Sequence, residues 1–355
     1  MTAFIESFST DQLLPPWQSL GARTWLFVIA VDRGLIAQHL DTRFNAAAPD
    51  RAPFHYTPLP GKTYGLLCVT RHESLSSTWE HRTGCDTVSH TELVWTFPAL
   101  RYSVGADNLL HDPHRVWIQP FAFTDNSYVM FSAREIWGTE MGMAALRMAE
   151  GAAPADLAID MAIEGMAKFD PHAQSQSIGC MRMGLRPTAA MASLGQLLDE
   201  ESDLNTFVDI LLADGIFTGS IDSGIGTDSA GMEVNTLRQF RDVFDMDCAA
   251  YRAIVSSTVQ HSNIRDLAFF SGANTVVEFL CSDSMEETLH ATFGGGVHSP
   301  QTQLAVPPPS LNAKGTPPTN WDMAYLPIEV ALGISYTADA QFHIRTTLHT
   351  YGQTA

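Results

Sequence analysis

Residues 125–142, Asp125-Asn126-Ser127-Tyr128-Val129-Met130-Phe131-Ser132-Ala133-Arg134-Glu135-Ile136-Trp137-Gly138-Thr139-Glu140-Met141-Gly142, stand where one kind of sequence gives way to another. Upstream, Val116 to Phe123 carries the β-branched and aromatic residues that suit a pleated, half-buried strand. Thr124-Asp125-Asn126 supplies turn chemistry, so Tyr128 to Ser132 is expected to return as the partner strand of a hairpin. Downstream, from Met141 to about Gly215, the composition changes to Ala, Met and Leu, with Phe207, Val208, Leu211 and Leu212 at helical spacing and Gly215 as a stop. This section is expected to be mostly helical. Residues 145–230 then form a helix-rich insertion that ends in the Gly-, Ser- and Asp-rich loop Ile216 to Gly231.

Working outward, the apolar run Trp25 to Val31 leads to an expected short helix from Leu35 to Phe44 and a loop punctuated by Pro53, Pro58 and Pro60. Tyr64 to Thr70 and Leu93 to Phe97 are strand-like, as are Asn235 to Val243 and Ala268 to Cys281, the latter two around an expected short helix near Cys248 to Val255. Gly294 to Asn320 is a Gly/Pro-rich connection, and Ile328 to Tyr336 and Phe342 to Leu348 are closing strands. The mixture of strands and helices makes the expected fold class α+β, in one domain over residues 1–355.

At 355 residues, 45% of them hydrophobic and 17% charged, the chain can bury one large core and is too apolar for disorder. The run Trp25 to Val31 stops after seven residues, and nothing approaches the twenty needed to span a membrane as a helix. The N-terminus lacks the basic, apolar and small-residue blocks of a secretion signal, so the expected compartment is the cytoplasm. Five widely spaced cysteines without a C-x-x-C pair read as reduced thiols. A net charge of −19 disfavours nucleic acid and anionic membrane surfaces as partners. Lysine occurs only at positions 62, 168 and 314, so any lysine chemistry depends on those three.

Most motifs fail on context. Gly61-Lys62-Thr63 precedes a strand and has Tyr56 where a phosphate-binding loop needs glycine. Gly224-Ile225-Gly226 meets Ser229 where a dinucleotide fingerprint needs its third glycine. No serine has glycines two residues away on both sides, which removes the nucleophile elbow. His111-Asp112-Pro113-His114 reads as an exposed loop, and Met141, Met143, Met148, Met161 and Met166 as helical core packing. No metal and no cofactor are expected.

The segment quoted first resembles the acetoacetate decarboxylase signature, in which an Asp-Asn turn is followed at this spacing by Gly-Arg-Glu and then Pro-Lys-Lys. Arg134 and Glu135 match, and so does their distance from Asp125-Asn126. A second stretch, Asn235 to Asp242 followed by Cys248 to Tyr251, is similar to longer members of that superfamily, with weaker similarity over Asp32 to Asn45 and Tyr64 to Arg71. The resemblance implies a cone-like, mainly antiparallel β-barrel with helices around it, here with helical insertions, and assembly into homo-oligomers. It also implies a small carbonyl or carboxylate substrate. The chain departs from the pattern where the family's imine-forming lysine stands, because the Pro-Lys-Lys positions are Glu140, Met141 and Gly142. A thioether forms no imine, so the resemblance implies a reaction without that covalent step.

On the resemblance, the expected catalytic groups are Arg134, Glu135 and Glu140: a glutamate with a raised pKa moves a proton, while Arg134 or Lys62 holds a carboxylate or enolate. Lys62, Tyr64, Trp137 and Met141 are the expected substrate contacts. The competing reading of Arg134 and Glu135 is an ion pair that fixes the hairpin. For the whole chain, the alternative to a lyase, hydrolase, isomerase or cyclase is a ligand-binding or scaffold protein that kept the barrel and lost the chemistry.

Overall fold

The structure, a computed structural model, describes residues 13–45, 53–61, 63–79, 87–149, 157–165, 176–185, 202–213, 231–241, 243, 249–281 and 324–351. Lys62, Lys168, Lys314, Met166, Gly215, Cys248 and the connection 294–320 lie outside them, as does almost all of the expected loop 216–231. No helix among the described residues is long and apolar enough to cross a membrane.

Seven strands close into a ring: β1 (Trp17–Val31), β3 (Thr63–Ser77), β4 (Val88–Val104), β5 (Leu110–Thr124), β10 (Met232–Arg241), β11 (Ala249–Ser271) and β14 (Val330–Tyr351). Around the barrel the order is β4, β3, β1, β14, β11, β10, β5, and β5 pairs back onto β4. Every neighbouring pair is antiparallel except β5–β10, joined in parallel at Trp117↔Val234 and Ile118↔Asn235. A short strand β2 (Phe54–Pro58) extends the edge beyond β3, lying along the second half of β4. The proline-punctuated loop expected there is therefore partly a strand, with proline confined to a sheet edge where no ladder donor is needed.

Three expectations are overturned. Tyr128 to Ser132 is not a returning strand but helix α2 (Ser127–Ser132), because the Asn126 side chain accepts hydrogen bonds from the backbone N–H groups of Tyr128 and Val129 at 3.0 and 3.3 Å. That N-cap overrides the β-propensity of Tyr, Val and Phe. Of the expected helix near Cys248 to Val255, the described part, residues 249–255, belongs to β11. Among the described residues, the section after Met141 is mostly strand: β6 (Met141–Met143), β7 (Ala145–Ala149), β8 (Ala158–Gly165) and β9 (Gln176–Leu185).

The last three of these join β12 (Thr275–Cys281) and β13 (Ala324–Ile328) in a separate antiparallel sheet. Leu146, Met161, Met181 and Phe279 stand directly opposite one another across its four adjoining strands, and all are buried. Ala, Met and Leu favour helices in isolation, but here the apolar residues recur at every second position and burial on a pleated face decides. Met141, Met148 and Met161 pack from strands, and Met143 is half-exposed.

The helix at Leu35 to Phe44 is present as α1 (Arg33–Leu40) followed by a π-turn, Asp41–Asn45. Helix α3 (Ser202–Ala213) presents Leu204, Phe207, Val208 and Leu211 to one end of the barrel, where Phe207 meets Tyr64 and Trp117, while Leu212 points outward.

Strand alternation separates two surfaces. In β1, β3 and β4 the odd residues Trp25, Phe27, Leu67, Val69, Leu93 and Trp95 share one apolar cluster with the second sheet. The even residues face the interior of the ring. No lysine is among the described residues, and His111 and His114 lie on the exposed start of β5 rather than in a loop.

Candidate functional site

A cavity of about 140 Å³ occupies the ring. Leu26, Cys68, Val94, Gln119, Val234, Val259 and Tyr336 line it, one from each of the seven strands, which places it inside the barrel. Its volume is close to the roughly 150 Å³ of an apolar cavity that takes up benzene. One end is plugged by α3. The other is closed by the segment that opened the sequence reading, packed as a cluster of Trp17, Val129, Ala133, Trp137 and Met141.

That segment is built from local rules. Asp125 is pinned to β4 through its carboxylate, which accepts from Thr91 N–H at 2.8 Å, while Asn126 caps α2. A π-turn over Ala133–Trp137 ends on Gly138 at φ +72°, with Gly138 and Thr139 N–H both donating to the Ala133 carbonyl. A Cβ on Gly138 would fall 2.6 Å from that of Arg238 on β10, so glycine serves both the left-handed conformation and the close approach. Thr236 on β10 donates its hydroxyl to the Trp137 carbonyl and fixes the turn to the barrel. Trp137 reaches the cavity wall, against Trp17 at 4.9 Å between ring centroids. Its indole N–H is buried without an acceptor among the described residues.

Of the residues expected from sequence, Trp137 and Met141 line the chamber. Tyr64 is buried beside Phe207 at the plugged end and is not part of the wall. Lys62 lies outside the described residues. Arg134, Glu135 and Glu140 do not line the chamber: Arg134 is exposed in an outer groove, Glu135 is half-buried, and Glu140 is 44% exposed in a two-pronged pair with Arg43 at 2.9 and 3.1 Å.

The chamber instead holds a charged group that sequence reading did not single out. Glu92 on β4 points inward, and its two carboxylate oxygens face two histidines: His72 Nε2 at 3.3 Å from one and His90 Nε2 at 3.9 Å from the other. On its far side His72 Nδ1 meets Ser19 Oγ at 2.8 Å. Burial alone would push the Glu92 carboxyl up, but the hydrogen bonds and charges of His72 and His90 outweigh it and hold the group below the usual carboxylate range. Burial lowers the pKa of His72 despite the opposing pull of Glu92. The consistent state is an ionised Glu92 accepting from a neutral His72, with Ser19 donating to His72.

Ser19, His72 and Glu92 are thus connected like a nucleophile, base and orienting acid, but Ser19 is fully buried and outside the chamber wall. Its role is to aim His72. On the opposite wall His261 is driven down to about 4, chiefly by burial, while Cys68, on the same strand as His72, is pushed up to about 12 by burial and the Glu92 charge. Both are neutral near pH 7. No arginine or lysine is among the described residues of the wall, so the chamber has an anionic focus and apolar or neutral surroundings.

Two imidazoles and a carboxylate also form a donor set for zinc or iron, their ligand atoms lying within 4.8 Å of one another. The geometry of the rings opposes it. His72 and His90 stack at 4.5 Å with planes 13° apart. Lone pairs lie in those planes and run side by side, so an ion about 2.0–2.1 Å from both nitrogens would require one ring to leave the stack.

Comparison with protein-family models and with curated proteins finds no match. Among solved structures, the acetoacetate decarboxylase of Legionella pneumophila is 9% identical, covers 94% of this chain and 88% of its own, and has a TM-score of 0.45. The enduracididine biosynthesis enzyme MppR, complexed with a condensation product of pyruvate and imidazole 4-carboxaldehyde, is 10% identical over 94% and 89%, with a TM-score of 0.47. An acetoacetate decarboxylase-like enzyme of Sphingomonas wittichii is 11% identical over 98% and 99%, with a TM-score of 0.49.

Proposed function

We propose that the protein is an acid–base enzyme that moves a proton on a small, uncharged carbonyl compound inside the barrel, without a lysine imine. The observation that carries this reading is Glu92, an ionised carboxylate held by two histidines in the wall of an otherwise neutral chamber of benzene size. Glu92, a residue of the chamber wall, accepts the proton from the carbon beside the carbonyl. The proton returns from the Glu92 carboxyl to carbon or oxygen, so the cycle balances without a further reactant.

A carboxylate with a depressed pKa is always ionised but weakly basic, which restricts the substrate. It suits a carbon acidified by two flanking carbonyl groups rather than an isolated ketone. The negative focus also disfavours a carboxylate inside the chamber, since like charges in a poorly solvated space repel strongly.

The test is keto–enol interconversion of acetylacetone, followed by the ultraviolet absorbance of the enol. The protein should accelerate it, and Glu92→Gln, which keeps the shape and removes the base, should lower the rate about 10²–10⁴-fold. A Glu92→Gln variant as fast as the native protein would reject the assignment. Saturable binding of acetylacetone with no acceleration would favour the ligand-binding alternative.

A further inference from the structure

The chamber has one thin wall. A groove of about 800 Å³ lies on the outer side of Thr139 and Met141, and these two residues line groove and chamber alike. Both are buried, so the two hollows are separated here by a single residue's thickness.

The two residues differ in how they can yield. Thr139 is branched at Cβ and stiff, and its backbone N–H is tied to the Ala133 carbonyl at 3.1 Å. Met141 carries an unbranched thioether that turns about three single bonds, and the groove beside it leaves space for a displaced side chain. The backbone around Met141 is fixed. Its own N–H donates to the Thr139 carbonyl at 2.8 Å, and Ala122 N–H donates to the Glu140 carbonyl at 3.1 Å. Gly138 lies against β10 and Gly142 against the Phe123 ring, both too closely for a Cβ, and Arg43 grips Glu140 from outside. A ligand can therefore pass by turning one side chain, with the strand left in place.

The other end of the barrel opens less easily. There α3 contributes Leu204, Phe207, Val208 and Leu211, all buried, and Phe207 packs on the buried rings of Tyr64 and Trp117. Lifting the helix exposes its whole apolar face at once.

We propose that Met141 is the gate of the chamber: ligands enter from the outer groove past its thioether, and its bulk sets the size of what is admitted. Entry is independent of the reaction. Only the consequence for the substrate, a dicarbonyl compound with short substituents, rests on the function proposed above.

The test uses Cys68, a free thiol of the chamber wall, as reporter. The full chain is treated with methyl methanethiosulfonate or with its benzyl analogue, each rate being taken relative to the reagent's rate with free cysteine. Mass spectrometry follows Cys68 and, as a control, Cys180, a buried free thiol of the second sheet. In the native protein the benzyl reagent should reach Cys68 at least tenfold more slowly than the methyl reagent. Met141→Ala should speed both and remove most of the difference, with Cys180 unchanged. Met141→Leu, similar in volume but branched and stiffer, should slow the methyl reagent severalfold, so an alanine variant that fails to fold does not end the test. Phe207→Ala, at the plugged end, should leave the Cys68 rate alone. Cys68 rates indifferent to both Met141 substitutions, or raised as much by Phe207→Ala as by Met141→Ala, would overturn the proposal. So would a Cys180 rate that rises in step, because the whole fold would then have loosened. Labelling requires no turnover, so this assay and the enol assay can fail separately.

Discussion

The imidazoles of His72 and His90 lie face to face across β3 and β4, 4.5 Å between centroids, as directly opposed residues in the strand register. Glu92, two residues on from His90 along the same face, receives both. A charge-sensitive cluster is thereby built into the barrel wall rather than onto a loop.

Acid should destabilise the fold through this cluster. His72 and His261 have folded pKa values below their unfolded value of 6.5, His261 at about 4. The unfolded chain therefore binds more protons as pH falls, and stability present above pH 6.5 is lost toward pH 4. Glu92, also depressed, adds loss in the same direction below the ordinary carboxylate range. His261 alone accounts for up to about 3 kcal/mol at roughly 1.4 kcal/mol per pH unit. Urea midpoints measured at pH 7.5 and 5.0 should differ clearly; equal midpoints would contradict the buried neutral histidines.

The parallel seam between β5 and β10 is clasped by Arg101, whose guanidinium reaches Glu233 at 2.6 Å and Asn235 at 2.9 Å, while Ser256 and His114 complete the Glu233 shell. These contacts hold Glu233 at about 2 against the upward push of burial. Arg101→Met should cost about 3–5 kcal/mol because it strands a largely buried carboxylate, and Arg101→Met/Glu233→Leu should cost less than the single change. Denaturant unfolding of the three proteins decides; a double variant worse than Arg101→Met would refute the clasp.

Met141 is the partition between chamber and groove, so Met141→Ala should enlarge the chamber at a cost of about 2 kcal/mol, the low end for a buried methionine because open space already adjoins it. Acetylacetone should bind more weakly there, having lost a wall contact. An unchanged affinity would remove Met141 from the ligand's surroundings.

Restoring the family's residues, Glu140→Pro with Met141→Lys and Gly142→Lys, should not yield an efficient acetoacetate decarboxylase. A Cβ on Gly142 would meet the Phe123 ring at 2.9 Å, and removing Glu140 leaves Arg43 without its carboxylate. A reactive lysine also needs a pKa lowered by several units, at about 1.4 kcal/mol each. Carbon dioxide release at a rate near that of a true decarboxylase would show that the chamber is still arranged for imine chemistry.

The mainly antiparallel barrel was implied by the resemblance, whereas local sequence was enough for the strands Tyr64 to Thr70, Leu93 to Phe97 and Val116 to Phe123 and for the helix after Asp32. Those features depend on residue type and spacing within a few positions. It misjudged α2 because one capping side chain outweighed the strand preference of Tyr128, Val129 and Phe131, and β7 to β9 because Ala, Met and Leu carry a helical preference that pairing with neighbouring strands overrode. Trp137 and Met141 could be placed at the chamber from the motif, since the turn that carries them is locally encoded by Asp125, Asn126 and Gly138. Glu92 and His72 could not. They are twenty positions apart and become partners only when β3 and β4 pair in one register with the even-numbered face turned inward, a choice made by ring closure and by the apolar odd face that the second sheet covers.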